Sequence, residues 1–292
     1  MYSGDFAYYA PTSLGEMLTL LNNAKPEVKV LAGGQSLIPL LKLRLASPAT
    51  LIDASQVPDL RMIADSGNTI TLGAMTTYFQ AIDSPLVQQR CPLIIQALRQ
   101  VGDPQVRARG TIGGSLAHAD PAGDLPAVAM ALDAEIHAVS SNGERSIAAA
   151  NFFTDVLTTA LQPNEVLKSV SFTATDQPAT GTAYVKHRHP ASGYAVVGVA
   201  AVVRLGADGT CQEARVGITG AGAHAARARG VEQALAGKTL DEAALDAACA
   251  SAADGLDLMS DTYASDEFRA HLTRVLAKRA LAEAASRAHS QA

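Results

Sequence analysis

Strand-like patterns at about 182–188, 194–205 and 211–219, the last two joined by Ala207-Asp208-Gly209, are followed only by Ala-rich helical patterns at about 224–236, 241–254 and 265–288. A doubly wound parallel sheet alternates strands and helices to its end, so this order excludes one. It also disposes of Gly220-Ala221-Gly222-Ala223-His224-Ala225, which fits the G-x-G-x-x-A dinucleotide fingerprint. The fingerprint needs a parallel strand ending in an acidic residue about 20 residues further on. Residues Lys238–Ala253 instead repeat Leu240, Ala243, Ala244, Ala247 and Ala248 at helical spacing.

Upstream, hairpins and helices are also segregated. Ser13 and Glu16 form a capping-box pattern before Leu14, Met17, Leu18 and Leu21, which predicts a helix over 13–24. Short strands are expected at 28–31 and 51–53, and hairpins at 61–74 around Ser66-Gly67-Asn68 and at 134–148 around Ser141-Asn142-Gly143. Helices are expected after a Thr76 cap, at Ser84-Pro85 and from Pro92, whereas 102–110 is too rich in Gly, Pro and charge for regular structure. A strand at 166–172 precedes a linker at 173–180. The chain is therefore α+β, with a domain boundary in that linker that separates a first domain at 1–176 from a second at 177–292.

Two glycine pairs stand out, Ala32-Gly33-Gly34-Gln35-Ser36 and Thr111-Ile112-Gly113-Gly114-Ser115. Paired glycines let a ligand approach the backbone without meeting a Cβ, and successive amides freed this way form an anion nest. The first pair follows a strand and precedes a helix from Leu37 to about Leu45, with Ser36 as its N-cap, the arrangement that presents amides to phosphate. An ordinary βα turn has the same pattern. The two segments are expected to close on one phosphate-bearing ligand from two sides. Asp124 lies beyond the second pair, near His118 and Asp120, and suits either an acid/base role or the N-cap of a helix at 125–132. Lys186 and Tyr194 sit at strand ends, within reach of such a ligand.

Other chemistries are excluded. The formal net charge of −5, the scarcity of aromatic residues and the absence of Trp argue against a nucleic-acid or anionic-membrane partner. No apolar run reaches the ~20 residues that span a bilayer. Cys91, Cys211 and Cys249 are dispersed, and the His187-Arg188-His189 pair lacks a third ligand, so no metal site or iron–sulfur cluster is expected on this chain. There is no nucleophile elbow or P-loop lysine. The first residues carry no basic region followed by an apolar one, which makes cytoplasm the expected location. Cofactor holding, and not side-chain catalysis, is the function this pattern favours.

Three ordered stretches then resemble a known family: AGGQSL at 32–37, QVRARGTIGGSLAHADPAGDLP at 105–126 and AYVKHRHPASGYAVVGVAAVV at 183–203. Together they are similar to the FAD-binding medium subunits of molybdenum hydroxylases, over essentially the whole chain. The resemblance implies a two-subdomain FAD-binding fold of the vanillyl-alcohol-oxidase (PCMH) type, with subdomains about 1–55 and 56–176, plus a C-terminal antiparallel-sheet-and-helix domain. It implies that Ala32, Gly33, Gly34, Gln35, Ser36 and Leu37, with Thr111, Ile112, Gly113, Gly114 and Ser115, wrap the FAD pyrophosphate and ribityl regions. Asp124 would hydrogen-bond the cofactor, Lys186 would approach the flavin, Tyr194 would cover an isoalloxazine face, and Val101 and Leu167 would be apolar contacts.

It further implies a large subunit with a molybdopterin cofactor and a small subunit with two [2Fe–2S] clusters, assembled as a dimer of heterotrimers. FAD on this chain would pass electrons from the clusters to an external acceptor. A free-standing FAD-dependent oxidoreductase of the same fold, resembling UDP-N-acetylenolpyruvoylglucosamine reductase or the aryl-alcohol oxidases, is the alternative. A scaffold that has lost its cofactor is a third reading, which the intact glycine segments oppose.

Overall fold

A computed structural model describes residues 3–23 and 27–291. The expected end of the first helix at Ala24 lies outside the described residues. Helix α1 (Leu14–Asn23) follows Ser13, whose hydroxyl accepts from the Glu16 amide at 3.2 Å. The Glu16 carboxylate reaches the Thr12 amide at 2.9 Å. Strands β1 (Ala7–Tyr9), β2 (Val28–Leu31) and β3 (Thr50–Asp53) form a small parallel sheet in the order β1-β3-β2. Helix α2 (Leu37–Lys42) connects the last two. It stops short of the expected Leu45 because Arg44 takes a left-handed φ of 57°.

The second layer is an antiparallel sheet, β4-β5-β10-β6-β7, built from β4 (Ile63–Asp65), β5 (Thr69–Gly73), β6 (Glu135–Ser140), β7 (Gly143–Ala148) and β10 (Val166–Thr173). A small hairpin, β8 (Phe153–Asp155) and β9 (Thr158–Thr159), stands beside it. Between β5 and β6 run α3 (Tyr78–Asp83), α4 (Pro85–Arg90), α5 (Pro92–Leu98), α6 (Pro104–Arg109), α7 (Ile112–His118) and α8 (Asp124–Ala131). The cap of α3 is Thr77, in a complete capping box with Gln80, and not Thr76, whose hydroxyl donates to the Met62 carbonyl. Helix α6 corrects the irregular reading of 102–110. Pro104 needs no amide partner at a first helical position, and the Asp103 carboxylate accepts from the Val106 amide at 2.8 Å.

The remaining chain builds a sheet in the order β11-β12-β13-β14, from β11 (Thr180–Arg188), β12 (Ala195–Leu205), β13 (Cys211–Thr219) and β14 (Ala226–Arg227). Then come α9 (Arg229–Leu235), α10 (Glu242–Cys249) and α11 (Asp266–His289). Residues 226–227 therefore pair with β13 instead of opening the helix expected from 224. The near-continuous apolar run of β12 is explained by burial on both faces. Val197, Val199, Ala201 and Val203 join the core under α11, while Ala200 and Val202 join the core shared with α5 and α8. Gly220–Ala225 links antiparallel β13 to β14, so no dinucleotide-binding βαβ unit exists there.

Close packing between the sheet and α8 depends on Gly217. A Cβ at this position of β13 would lie 2.0 Å from the Ala127 carbonyl oxygen of α8. Gly217→Ala is expected to cost about 2 kcal/mol by overpacking against backbone that cannot rotate away, read as a fall in the urea midpoint with an unchanged slope.

Candidate functional site: an inter-layer cleft

The first glycine segment leaves β2 and turns at Gly34, where φ is 76°. Gly33 seats the turn on the end of α6, since a Cβ there would lie 2.1 Å from the Arg109 carbonyl oxygen. The carbonyls of Gly34 and Ser36 accept from Ile38 and Leu40 at 3.0 and 3.2 Å. Among the described residues, none accepts from the amides of Gly33, Gly34, Gln35 or Ser36. Ser36 occupies the N-cap position of α2, but its side chain makes no capping bond, because its backbone is already helical at φ −107° and ψ −48°. The turn keeps its amide donors open.

The second segment behaves differently, which corrects the expectation of two matching nests. Thr111 is the N-cap of α7, so Gly113 and Gly114 lie inside a helix. The Ile112 amide donates to Thr76 O, Gly113 to Ala74 O (each 2.9 Å) and Gly114 to Thr111 Oγ1 (3.1 Å). These donors are spent on the fold. The glycines serve close approach instead. A Cβ on Gly113 would lie 2.4 Å from Ala74 Cβ, and one on Gly114 would lie 3.2 Å from Ala32 Cβ. The two segments thus abut as one wall and do not face each other as two jaws.

Asp124 is the first helical residue of α8, after an N-cap at Gly123, and makes no capping bond. Its buried carboxylate turns to β11. Tyr184 donates to Oδ1 at 2.5 Å, and the Lys186 ammonium lies 2.8 Å from Oδ1 and 3.0 Å from Oδ2. Tyr184 and Lys186 are two apart on a strand and so share a face. Lys186 also donates to the Gln100 carbonyl at 3.0 Å. Burial pushes the Asp124 carboxyl up and the Lys186 ammonium down from their ordinary values, and mutual attraction offsets part of each shift.

These elements enclose a cleft of about 1030 Å³, lined by Ala32 to Leu37, Val101, Thr111, Gly113, Gly114, Ser115, Asp124, Leu167 and Tyr194. Two residues named from the sequence are not on it. Ile112 is fully buried in the core, and the Lys186 side chain is completely covered behind Asp124. Tyr194 stands half exposed on the rim, with Ser36 beside its phenol.

Sequence reasoning missed Tyr78, which lines the cleft next to Ser115 and whose phenol burial pushes up to about 12. It also assigned nothing to His118, which lines the cleft too. A lone tyrosine at a helix start carries no signal that would have singled out Tyr78. Among the described residues no group of His, Cys, Asp and Glu could hold a metal ion, and no helix is long and apolar enough to cross a membrane.

Comparison with known proteins identifies the family. Residues 4–173 match the model of the FAD binding domain in molybdopterin dehydrogenase, and residues 182–284 match that of the CO dehydrogenase flavoprotein C-terminal domain. The chain is 38% identical over 276 residues to the carbon monoxide dehydrogenase medium chain of Hydrogenophaga pseudoflava, covering 94% of this chain and 96% of that one. It is 36% identical over 283 residues to the 6-hydroxypseudooxynicotine dehydrogenase complex subunit alpha of Paenarthrobacter nicotinovorans, covering 97% and 95%. A solved structure of the Hydrogenophaga pseudoflava carbon monoxide dehydrogenase, lacking the Mo-pyranopterin moiety of its molybdenum cofactor, superposes with a TM-score of 0.95 over 98% of this chain and 99% of that one. With both layers of a PCMH-type FAD-binding fold and the C-terminal sheet-and-helix unit in place, the chain belongs to the family of FAD-binding medium subunits of molybdenum hydroxylases.

Proposed function

We propose that this chain holds FAD in the cleft and passes electrons arriving from the [2Fe–2S] clusters of a small partner subunit to an external acceptor, while a large molybdopterin subunit oxidises the substrate. The assembly would be a dimer of heterotrimers, with the flavin unit at 1–176, divided near residue 55, and the second unit at 177–292. FAD supplies the redox chemistry, and the protein supplies binding, orientation and local charge.

The residues present fit FAD. A cleft of about 1030 Å³ lies at the upper end of ordinary ligand sites. The open amides of residues 33–36 carry this reading, because they offer donors to a diphosphate where Gly33 and Gly34 bear no Cβ. Ala32, Gly114 and Ser115 continue that wall. Val101 and Leu167 supply apolar contact, and Tyr194 covers a ring face from the rim. Asp124 accepts from a hydroxyl or N–H of the cofactor. Lys186 acts on the site through Asp124 and not by direct contact.

The visible spectrum of the full chain, purified with and without co-expressed neighbouring subunits, tests this. Flavin bands without an iron–sulfur shoulder in the isolated chain, and substrate-dependent bleaching of those bands only in the complex, are the expected results. A colourless chain that FAD does not reconstitute would sink the reading. Substrate turnover by the isolated chain would transfer it to a free-standing oxidoreductase.

A further inference from the structure

Tyr184 was not among the residues the sequence marked, and the structure buries its hydroxyl against Asp124, a buried carboxylate on the cleft wall. We propose that Tyr184 is a positioning residue of the cofactor site: its hydroxyl, donated to Asp124 Oδ1, holds that carboxylate oriented so that Oδ2 remains available to a donor on the bound ligand. The inference rests on the reading of the cleft as the FAD site and adds to it a residue that never touches the cofactor.

The local construction supports this. Tyr184 lies on β11 and Asp124 on α8, so the bond joins the C-terminal sheet to the cleft wall. An ionised carboxylate offers about four acceptor positions. Oδ1 takes both Tyr184 and Lys186, whereas Oδ2 takes Lys186 alone. The tyrosine is fixed in turn. The Gln100 side-chain amide donates to its carbonyl at 3.1 Å, and Gly198 of the adjacent strand makes room for its hydroxyl, since a Cβ there would lie 2.5 Å from Tyr184 Oη. A phenylalanine would fill the same core, so what the hydroxyl adds is the bond it donates.

The charged and titratable groups around Asp124 are Tyr184, Lys186 and Arg188 from β11, Tyr78 from α3 and Tyr194 from the rim. Removing the Tyr184 hydroxyl takes away a donor that favours the ionised form. Asp124 then takes up a proton at higher pH, and a protonated Asp124 is a weaker acceptor toward a cofactor donor.

The test is FAD titration of the stripped full-length chain by flavin fluorescence, for the parent, Tyr184→Phe, Asp124→Asn and the double variant, over a range of pH. Tyr184→Phe is expected to weaken FAD about tenfold, the size of one charge-assisted hydrogen bond. Its loss of FAD on acidification should begin at higher pH than in the parent. In the Asp124→Asn background the same replacement should cost nothing further, because Tyr184 acts only through that carboxylate. A full additional tenfold in that background, or an unmoved acid limb, assigns Tyr184 a packing role and overturns the inference. A parent chain that binds no FAD sinks the reading of the cleft itself, whereas a binding parent with an equally tight Tyr184→Phe sinks the inference alone. Should Tyr184→Phe fail to fold, Gly198→Ala, which crowds the same hydroxyl, is expected to show the same acid shift, and an unchanged acid limb there overturns the proposal.

Discussion

Lys186→Met is expected to destabilise the protein by about 3–5 kcal/mol at neutral pH, the range for removing one partner of a buried ion pair. The side chain is fully covered, and its ammonium is the only cation within salt-bridge distance of Asp124 among the described residues. Without it, the carboxylate keeps the Tyr184 bond but loses its countercharge. The sign of the pH dependence follows. Burial already raises the Asp124 value, and loss of the lysine raises it further, so the folded variant binds a proton more readily than the unfolded chain does. Its stability therefore falls as pH rises from the unfolded carboxyl value near ~4 toward the raised folded one. Urea unfolding at about pH 5 and about pH 8 should show a deficit against the parent that widens at the higher pH. An equal deficit at both would mean that Asp124 is not the group left exposed. Adding Asp124→Asn should recover much of the loss.

Gly33→Ala should release FAD. The added Cβ meets Arg109 O at 2.1 Å, Arg109 C at 2.9 Å and Gly110 Cα at 3.0 Å, all backbone atoms that no rotamer change can move. Either the turn lifts or the junction of α6 and α7 shifts, and both separate the open amides from the wall formed by Gly114 and Ser115. The expected effects are about 2 kcal/mol of stability and on the order of a hundredfold in FAD affinity, equivalent to one or two charge-assisted bonds. Flavin absorbance per chain after gel filtration reads the second effect. Gly15→Ala on α1, where a Cβ meets nothing within 4 Å, is the matched control and should retain FAD fully.

The segregated order of strands and helices was legible because hairpin turns and helical spacing are local signals. The hairpins, most of the helices and the rejection of the Gly220 fingerprint followed from them. The first glycine turn was legible for the same reason. The second was misread as a loop because Thr111 caps a helix that tolerates two glycines, and only the packed structure shows what they avoid, Ala74 and Ala32. Asp124 was found, but its partner was not. A tyrosine inside an apolar strand looks like core until the strand facing it and the helix above it are placed. Lys186 drew attention as a strand-end cation, and its position behind the carboxylate depends on a register that no local pattern encodes.

The middle strand of the five-stranded sheet is the last of its strands to be synthesised: β10, at Val166–Thr173, inserts between β5 and β6. Until it arrives, the β4–β5 and β6–β7 hairpins each keep an unpaired inner edge, a template for pairing with other chains. Val166 and Leu167 also line the cleft, which therefore has no finished wall before that insertion. Pairings of this sequence separation form slowly because loop closure precedes any reward from contact. On the proposed reading of the cleft, FAD is expected to load only after the insertion that removes the chain's most adhesive edges.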